Sequence, residues 1–186
     1  MPRIEVIQPE QAEGTLKEIY DGLVGSRGKL AEVHKIQSLN PETIKTHMDL
    51  YMSIMFAKSP LKRAQREMIA VIVSKSNGCQ YCTMHHGEAL NHYWKDGERL
   101  QQLIQNYKQA DLSEKDKALC AYAKHLTLHP DEHEDTDFTK AMKEVGCSDR
   151  EILDTTLVIG YFNFVNRIVL SLGVELETHK GKGFKY

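Results

Sequence analysis

The sequence predicts an all-α, single-domain protein. Four capped segments follow one another along 186 residues, each carrying apolar residues at helical spacing. No stretch alternates apolar and polar residues as a half-buried strand would, and no Pro/Gly/Ser-rich linker divides the chain. A chain of this length builds one well-buried core, not two large ones.

The elements follow in order. PEQAEGTLKEIYDGLV places Ala12, Leu16, Ile19, Tyr20 and Leu23 on one stripe, the face of a first helix. Asn40 followed by Pro41 reads as an N-cap with Pro at the first helical position, opening PETIKTHMDLYMSIMFA. Ser59-Pro60 repeats the device and is expected to open LKRAQREMIAVIVSKS. Asn77-Gly78 favours a tight turn with positive φ and should break that helix, so that a new one starts near Cys79 and runs through MHHGEALNHYW. Ser113 caps EKDKALCAYAKHLTL, which stops before Pro130. Ser148-Asp-Arg-Glu151 is a capping box launching EILDTTLVIGYFNFVNRIVLSL until Gly173. The apolar runs MIAVIV (68–73) and LVIGYF (157–162) would suit buried strands by composition alone, but each lies inside a longer capped segment and is read as buried helix. The expected domain is 1–172. A polar, glycine-spaced tail, 173–186, is either frayed or laid against a neighbouring subunit.

Composition narrows the function classes. With 24 Lys and Arg against 26 Asp and Glu, the net charge is −2, which argues against a nucleic-acid partner. No apolar run approaches the roughly 18–20 residues of a membrane span. The N-terminal MPRIEVIQPEQAEG has no apolar core of a secretory signal, so the expected compartment is the cytoplasm, where structural disulfides are disfavoured. Of four cysteines, only Cys79 and Cys82 form a spaced pair, which in a reducing compartment points to redox chemistry or metal binding.

That pair lies in NGCQYCTMHH, residues 77–86. On a helix, Cys79, Cys82 and His86 fall within an arc of roughly 60°, whereas His85 turns about 100° away and reads as a surface or packing residue. The positive end of a helix stabilises thiolate over thiol, and Cys79 gains most from it. Cys82 has His86 at i+4, the arrangement that generates a nucleophilic thiolate, so Cys82 is the candidate attacking sulfur and Cys79 its disulfide partner. A structural zinc usually needs four ligands, and no second pair stands at the customary spacing. Two inert, packed cysteines are the other bland reading. Glu67, among Met68, Ile69, Val71, Ile72 and Val73, is costly to bury unless paired or protonated, and otherwise reads as an exposed acid beside Arg63 and Arg66.

Glu67, then Cys79-Gln-Tyr-Cys82, then His86 resembles the motif of the alkylhydroperoxidase D-like family within the carboxymuconolactone decarboxylase superfamily. The N-terminal PEQAEGTLKEIYDGL and the C-terminal NFVNRIVLSLGVEL resemble its peroxidase-related branch, so the likeness covers most of the chain. The resemblance implies an all-α fold assembled as a homo-oligomer, trimer or hexamer, acting as a thiol-dependent hydroperoxidase without a cofactor. It implies that Cys82 attacks a small hydroperoxide, that Cys79 resolves the sulfenic acid to a disulfide, and that Glu67 and His86 relay protons. A dithiol reductant would then reopen the disulfide. The best-known members carry a histidine just before the second cysteine; here that position is Tyr81, a poor proton shuttle at neutral pH. Asn163, Asn166 and Arg167 form a polar cluster in an apolar segment, expected to line the pocket or, by preference, to bond across a subunit interface. Two other functions stay open: a redox sensor or binding module using the same disulfide, and a lactone decarboxylase, whose chemistry does not need two thiols.

Overall fold

A computed structural model describes residues 1–178, and every regular element among them is helical. After a 3-10 turn at Pro9–Gln11 come α1 (Gly14–Arg27), the short α2 (Glu32–Lys35), α3 (Pro41–Met55), α4 (Arg63–Ser76) and α5 (Gln80–Trp94). Then follow α6 (Gly97–Asn106), α7 (Glu114–Leu128), the short α8 (Glu132–Asp135) and α9 (Thr139–Glu144), and the long α10 (Asp149–Leu172).

The centre is α4. Residues 66–74 are all buried, and the helix packs against α5, α7 and α10. Residues 68–73 are apolar on every side of the helix, and such a stretch has to be interior; each fully buried aliphatic side chain contributes about 1.5–3 kcal/mol. The apolar runs 68–73 and 157–162 are thus core helix, in α4 and α10. On α1, Leu16, Tyr20 and Leu23 are buried, with Ala12 just before the helix, and they close on Ile44 of α3 as a second, smaller core.

Several caps match the sequence. Pro41 opens α3 as expected, although the Asn40 side chain before it makes no capping hydrogen bond; Ser113 accepts from the Asp116 N–H; Ser148 accepts from the Glu151 N–H while Glu151 reaches back to the Ser148 N–H. The start of α4 does not. Ser59 hydrogen-bonds Asp154 of α10 at 2.5 Å and accepts from the Leu61 N–H, so it holds a turn, and the helix begins only at Arg63, where Gln65 caps the Lys62 N–H.

The helix α10 also corrects the expectation about membranes. By length and composition its 24 residues would cross one. It carries buried Asp154 and Asn166 and packs on α4 and α7, so it is a core helix of this protein. Its outer face is apolar too: Leu153, Leu157, Phe164 and Leu170 are each more than two-fifths exposed. Beyond Gly173, at φ +70° in the left-handed region, segment 174–178 folds back along its own chain, with Val174 and Leu176 packed on the core. Residues 179–186 of the expected tail lie outside the described residues.

Candidate active site

The site is made at the α4–α5 turn. Gly78 adopts φ +69°, and the Cys79 N–H closes on the Ser74 carbonyl at 2.9 Å, which ends α4 and aims α5 back along it. Cys79 is the N-cap of α5, and Cys82 lies in its first turn. The sequence-predicted residues meet. Glu67 comes from the middle of α4, and His86 one turn beyond Cys82; His86 Nδ1 and Glu67 Oε2 are 2.7 Å apart. The other carboxylate oxygen accepts from Arg63, with Nε at 3.0 Å and Nη2 closer still.

Glu67 has no solvent exposure. Burial pushes its carboxyl up, but His86 and Arg63 more than offset that and hold it below the ordinary carboxylate range. Its alternative reading as an exposed helix acid is therefore wrong. The ring of His86 stands edge-on to Phe162, centroids 4.4 Å apart. With Nδ1 committed to Glu67, Nε2 is the nitrogen left for chemistry.

The two thiols differ. Cys79 is fully buried; Cys82, 2% exposed, lines a cavity that it shares with His85 and His86. Both are free thiols. The Cys82 thiol donates toward the Cys79 sulfur, which lowers the Cys79 pKa against the opposing effect of burial. The Cys82 backbone N–H adds to this at the helix end, although its geometry falls short of a capping hydrogen bond. Cys82 moves well upward, first through that same bond to Cys79, then through burial and the charge on Cys79; the Asn166 amide pulls the other way. The resting charge of the pair thus favours Cys79, while the sulfur facing the cavity is Cys82.

One assignment differs from the sequence reading and two are made definite. Of the two readings of His85, packing holds: it lines the cavity, stacks on Tyr81 at 4.4 Å and pairs with Glu177 at 2.7 Å. Tyr81 donates to Glu177 at 2.8 Å and accepts from the Val33 N–H at 3.3 Å, and burial above all holds its phenol protonated. It is a structural strut where the best-known members carry a relay histidine. The asparagine cluster bonds within the chain: Asn77 Nδ2 donates to Asn163 and Asn166 at 3.0 and 2.9 Å, and Asn166 donates to Ser74 at 3.2 Å. It clamps the α4–α5 turn onto α10.

The cavity next to Cys82 encloses about 80 Å³. At roughly 10–15 Å³ per water-sized group, that takes a small organic molecule. His34 and His47 of its wall were not singled out by sequence, since each stands alone among ordinary helix residues. Burial holds both neutral, with pKa values pushed down to about 3 and about 4. Among the described residues no group of three or more His, Cys, Asp or Glu is placed to hold a metal ion.

Comparison with known proteins gives a consistent picture. Residues 41–124 match the carboxymuconolactone decarboxylase family. YdfG of Bacillus subtilis, an uncharacterized protein, is 30% identical over 137 residues, 72% of this chain and 88% of that one. The crystal structure of an alkylhydroperoxidase core, an uncharacterized peroxidase-related protein from Ralstonia eutropha, superposes with a TM-score of 0.85 at 22% identity, covering 99% of this chain and 98% of the other. A debrominase solved with 2,3,4-tribromopyrrole gives 0.77 at 17% identity, covering 96% and 95%. At those identities the two structures speak to the fold, which is that of the alkylhydroperoxidase D-like proteins.

Proposed function

Because the chain belongs to the carboxymuconolactone decarboxylase family, in which one fold serves more than one chemistry, we propose that it is a thiol-dependent hydroperoxide reductase working through a Cys79–Cys82 disulfide. The observation that carries the reading is the chain of contacts from Arg63 through Glu67 to His86, ending at a cavity that contains the Cys82 sulfur.

The dithiol gives one proton to His86 Nε2, and the charge left on the pair is favoured on Cys79, with the shared proton on Cys82. Shifting that proton along the S–H···S contact delivers a thiolate to Cys82. Its sulfur attacks the near oxygen of the hydroperoxide, the O–O bond breaks, and the alkoxide leaves as alcohol with a proton from His86 Nε2. Cys79 then attacks the Cys82 sulfenic acid and releases its own proton at the sulfur–sulfur contact. The S–O bond breaks, hydroxide takes that proton, and water and the disulfide remain. Two thiols have been oxidised and one hydroperoxide reduced to alcohol and water. A small dithiol returns the electrons. Glu67 steadies the imidazolium at each stage, since its buried carboxylate is ionised and hydrogen-bonded to Nδ1.

The test is peroxide consumption with dithiol donors such as dihydrolipoamide and thioredoxin. Cys82→Ser should abolish turnover. Cys79→Ser should react once and keep a sulfenic acid on Cys82. Labelling of Cys79 in Cys82→Ser, with none on Cys82 in Cys79→Ser, reverses the roles. One oxidation per chain without cycling favours the sensor reading. Bromide release from a brominated substrate, with peroxide untouched, would place the chain beside the debrominase, and decarboxylation of a lactone beside the family's namesake.

Self-association belongs to the same reading. The exposed apolar face of α10 supports a homo-oligomer; its size, a trimer or hexamer, and its place in the cytoplasm are carried by the family reading alone.

A further inference from the structure

The cavity beside Cys82 is walled by rings. His34 and His47 meet edge to face at 5.7 Å, His47 and Tyr161 stand 5.5 Å apart, and Tyr51 and Tyr161 5.8 Å apart. His47 is already bonded on both nitrogens, to Gln37 and, at 2.6 Å, to the Tyr161 hydroxyl. His34 is not: its Nδ1 is enclosed without a hydrogen-bond partner. A buried ring nitrogen left unpaired is costly, and a ligand group bonded to it would recover that cost.

Charge in the cavity is unbalanced in one direction. The two nearby carboxylates are taken: Glu67 by Arg63 and His86, Glu177 by His85 and Tyr81. Arg27 also lines the cavity, with its guanidinium 5.2 Å from the Tyr51 ring centroid and 5.5 Å from that of Phe56. Among the described residues it makes no ion pair with a carboxylate. A guanidinium backed by aromatic faces and unmatched by an anion is a carboxylate receptor in its geometry and its charge.

We infer that the cavity binds a small aromatic acid, its ring among His47, Tyr51 and Tyr161, its carboxylate on Arg27 and a polar substituent on His34. On the hydroperoxidase reading, the preferred substrate is then an aromatic hydroperoxide bearing a carboxylate, with Arg27 as the residue that sets specificity. Arg27 acts by positioning: it holds the ligand's acidic end while the reacting oxygen is presented to Cys82 and His86.

The test separates binding from turnover. Benzoate and benzyl alcohol differ in charge more than in shape, and calorimetry on the reduced protein should find benzoate bound at least tenfold more tightly. Arg27→Gln should erase the difference, and Arg27→Lys should keep part of it. Bound benzoate should slow iodoacetamide alkylation of Cys82, read by peptide mapping, and should not slow it in Arg27→Gln. In turnover, cumene hydroperoxide carrying a ring carboxylate should exceed cumene hydroperoxide in kcat/KM about tenfold, through KM. Benzoate binding that needs Arg27 without any peroxide turnover would uphold the cavity assignment and remove the hydroperoxidase reading. Equal binding of the two probes, or a preference unchanged in Arg27→Gln, overturns the assignment even if peroxide is consumed.

Discussion

Glu67 is a fully buried carboxylate with a cation on one oxygen and an imidazole on the other. Glu67→Gln keeps the shape and removes the charge that both neighbours answer. Peroxide reduction should fall about 10²-fold or more, the usual scale for one acid–base partner. The variant should also lose about 3–5 kcal/mol in denaturant unfolding, because Arg63 is left half-enclosed without its partner. An unchanged rate would make Glu67 a purely structural anion. His47 makes a separate prediction about pH. Its folded pKa is about 4, against 6.5 as its ordinary value, so between those limits the unfolded chain binds the extra proton. The neutral ring therefore contributes stability that is fully present above pH 6.5 and is lost as pH falls toward 4. From pH 7 to pH 5 that is about 2 kcal/mol. Denaturant titrations at the two pH values should show this loss, and His47→Gln should shrink it; an equal loss in the variant would assign the slope to other groups, His34 first.

At the scale of elements, the asparagine clamp joins the turn that aims Cys79 to the helix that backs Cys82. Asn166 has no exposure and donates to Ser74, accepts from Asn77 and lowers the Cys82 pKa. Asn166→Leu should cost about 1–3 kcal/mol of stability, because the Asn77 and Ser74 groups lose partners. It should also move the Cys82 thiolate titration upward, followed by ultraviolet absorbance in Cys79→Ser background. Stability lost with the titration unmoved would reduce the clamp to scaffolding. This element also shows what a sequence reveals. Helix caps at Ser113 and Ser148 are local, three residues wide, and were legible. So was the helical face bringing Cys82 and His86 together, and the turn that returns Glu67 to them. Ser59 looked the same as the other caps, but Asp154 claims its hydroxyl from 95 residues away. His85 reads as surface or packing because the angle around α5 places it off the cysteine face; the fold decides for packing, since its partner Glu177 arrives from the far end of the chain. Asn163 and Asn166 were seen as a cluster, and only the fold says that their partner is Asn77 and not a neighbouring subunit.

For the whole molecule, the exposed apolar face of α10 matters most. Leu153, Leu157 and Phe164 recur at spacings of four and seven, a single stripe along a helix whose opposite side is core. Covering such a stripe with a second copy is the economical way to remove it from water, at about 25 cal/mol per Å² of apolar surface. Sedimentation velocity should find an oligomer, and Leu157→Glu should shift it toward the monomer with the helical signal retained. A wild-type monomer across the micromolar range would leave the stripe without that role.

The segment after Gly173 sets the traffic around the two sulfurs. With Val174 and Leu176 packed on the core and Glu177 fastened to Tyr81 and His85, Cys79 has no exposed surface: the cavity at Cys82 does not include it, and a separate cleft under Gly173–Leu176 borders it. In the proposed cycle the oxidant enters at the Cys82 cavity, and a donor that attacks Cys82 uses the same doorway, each able to enter only after the other has gone. Initial rates should follow parallel-line, ping-pong kinetics, and each substrate at high concentration should inhibit competitively against the other. A donor too broad for the cavity should reduce the disulfide slowly in the intact chain and faster in Glu177→Ala, where the fastening at Tyr81 and His85 is lost.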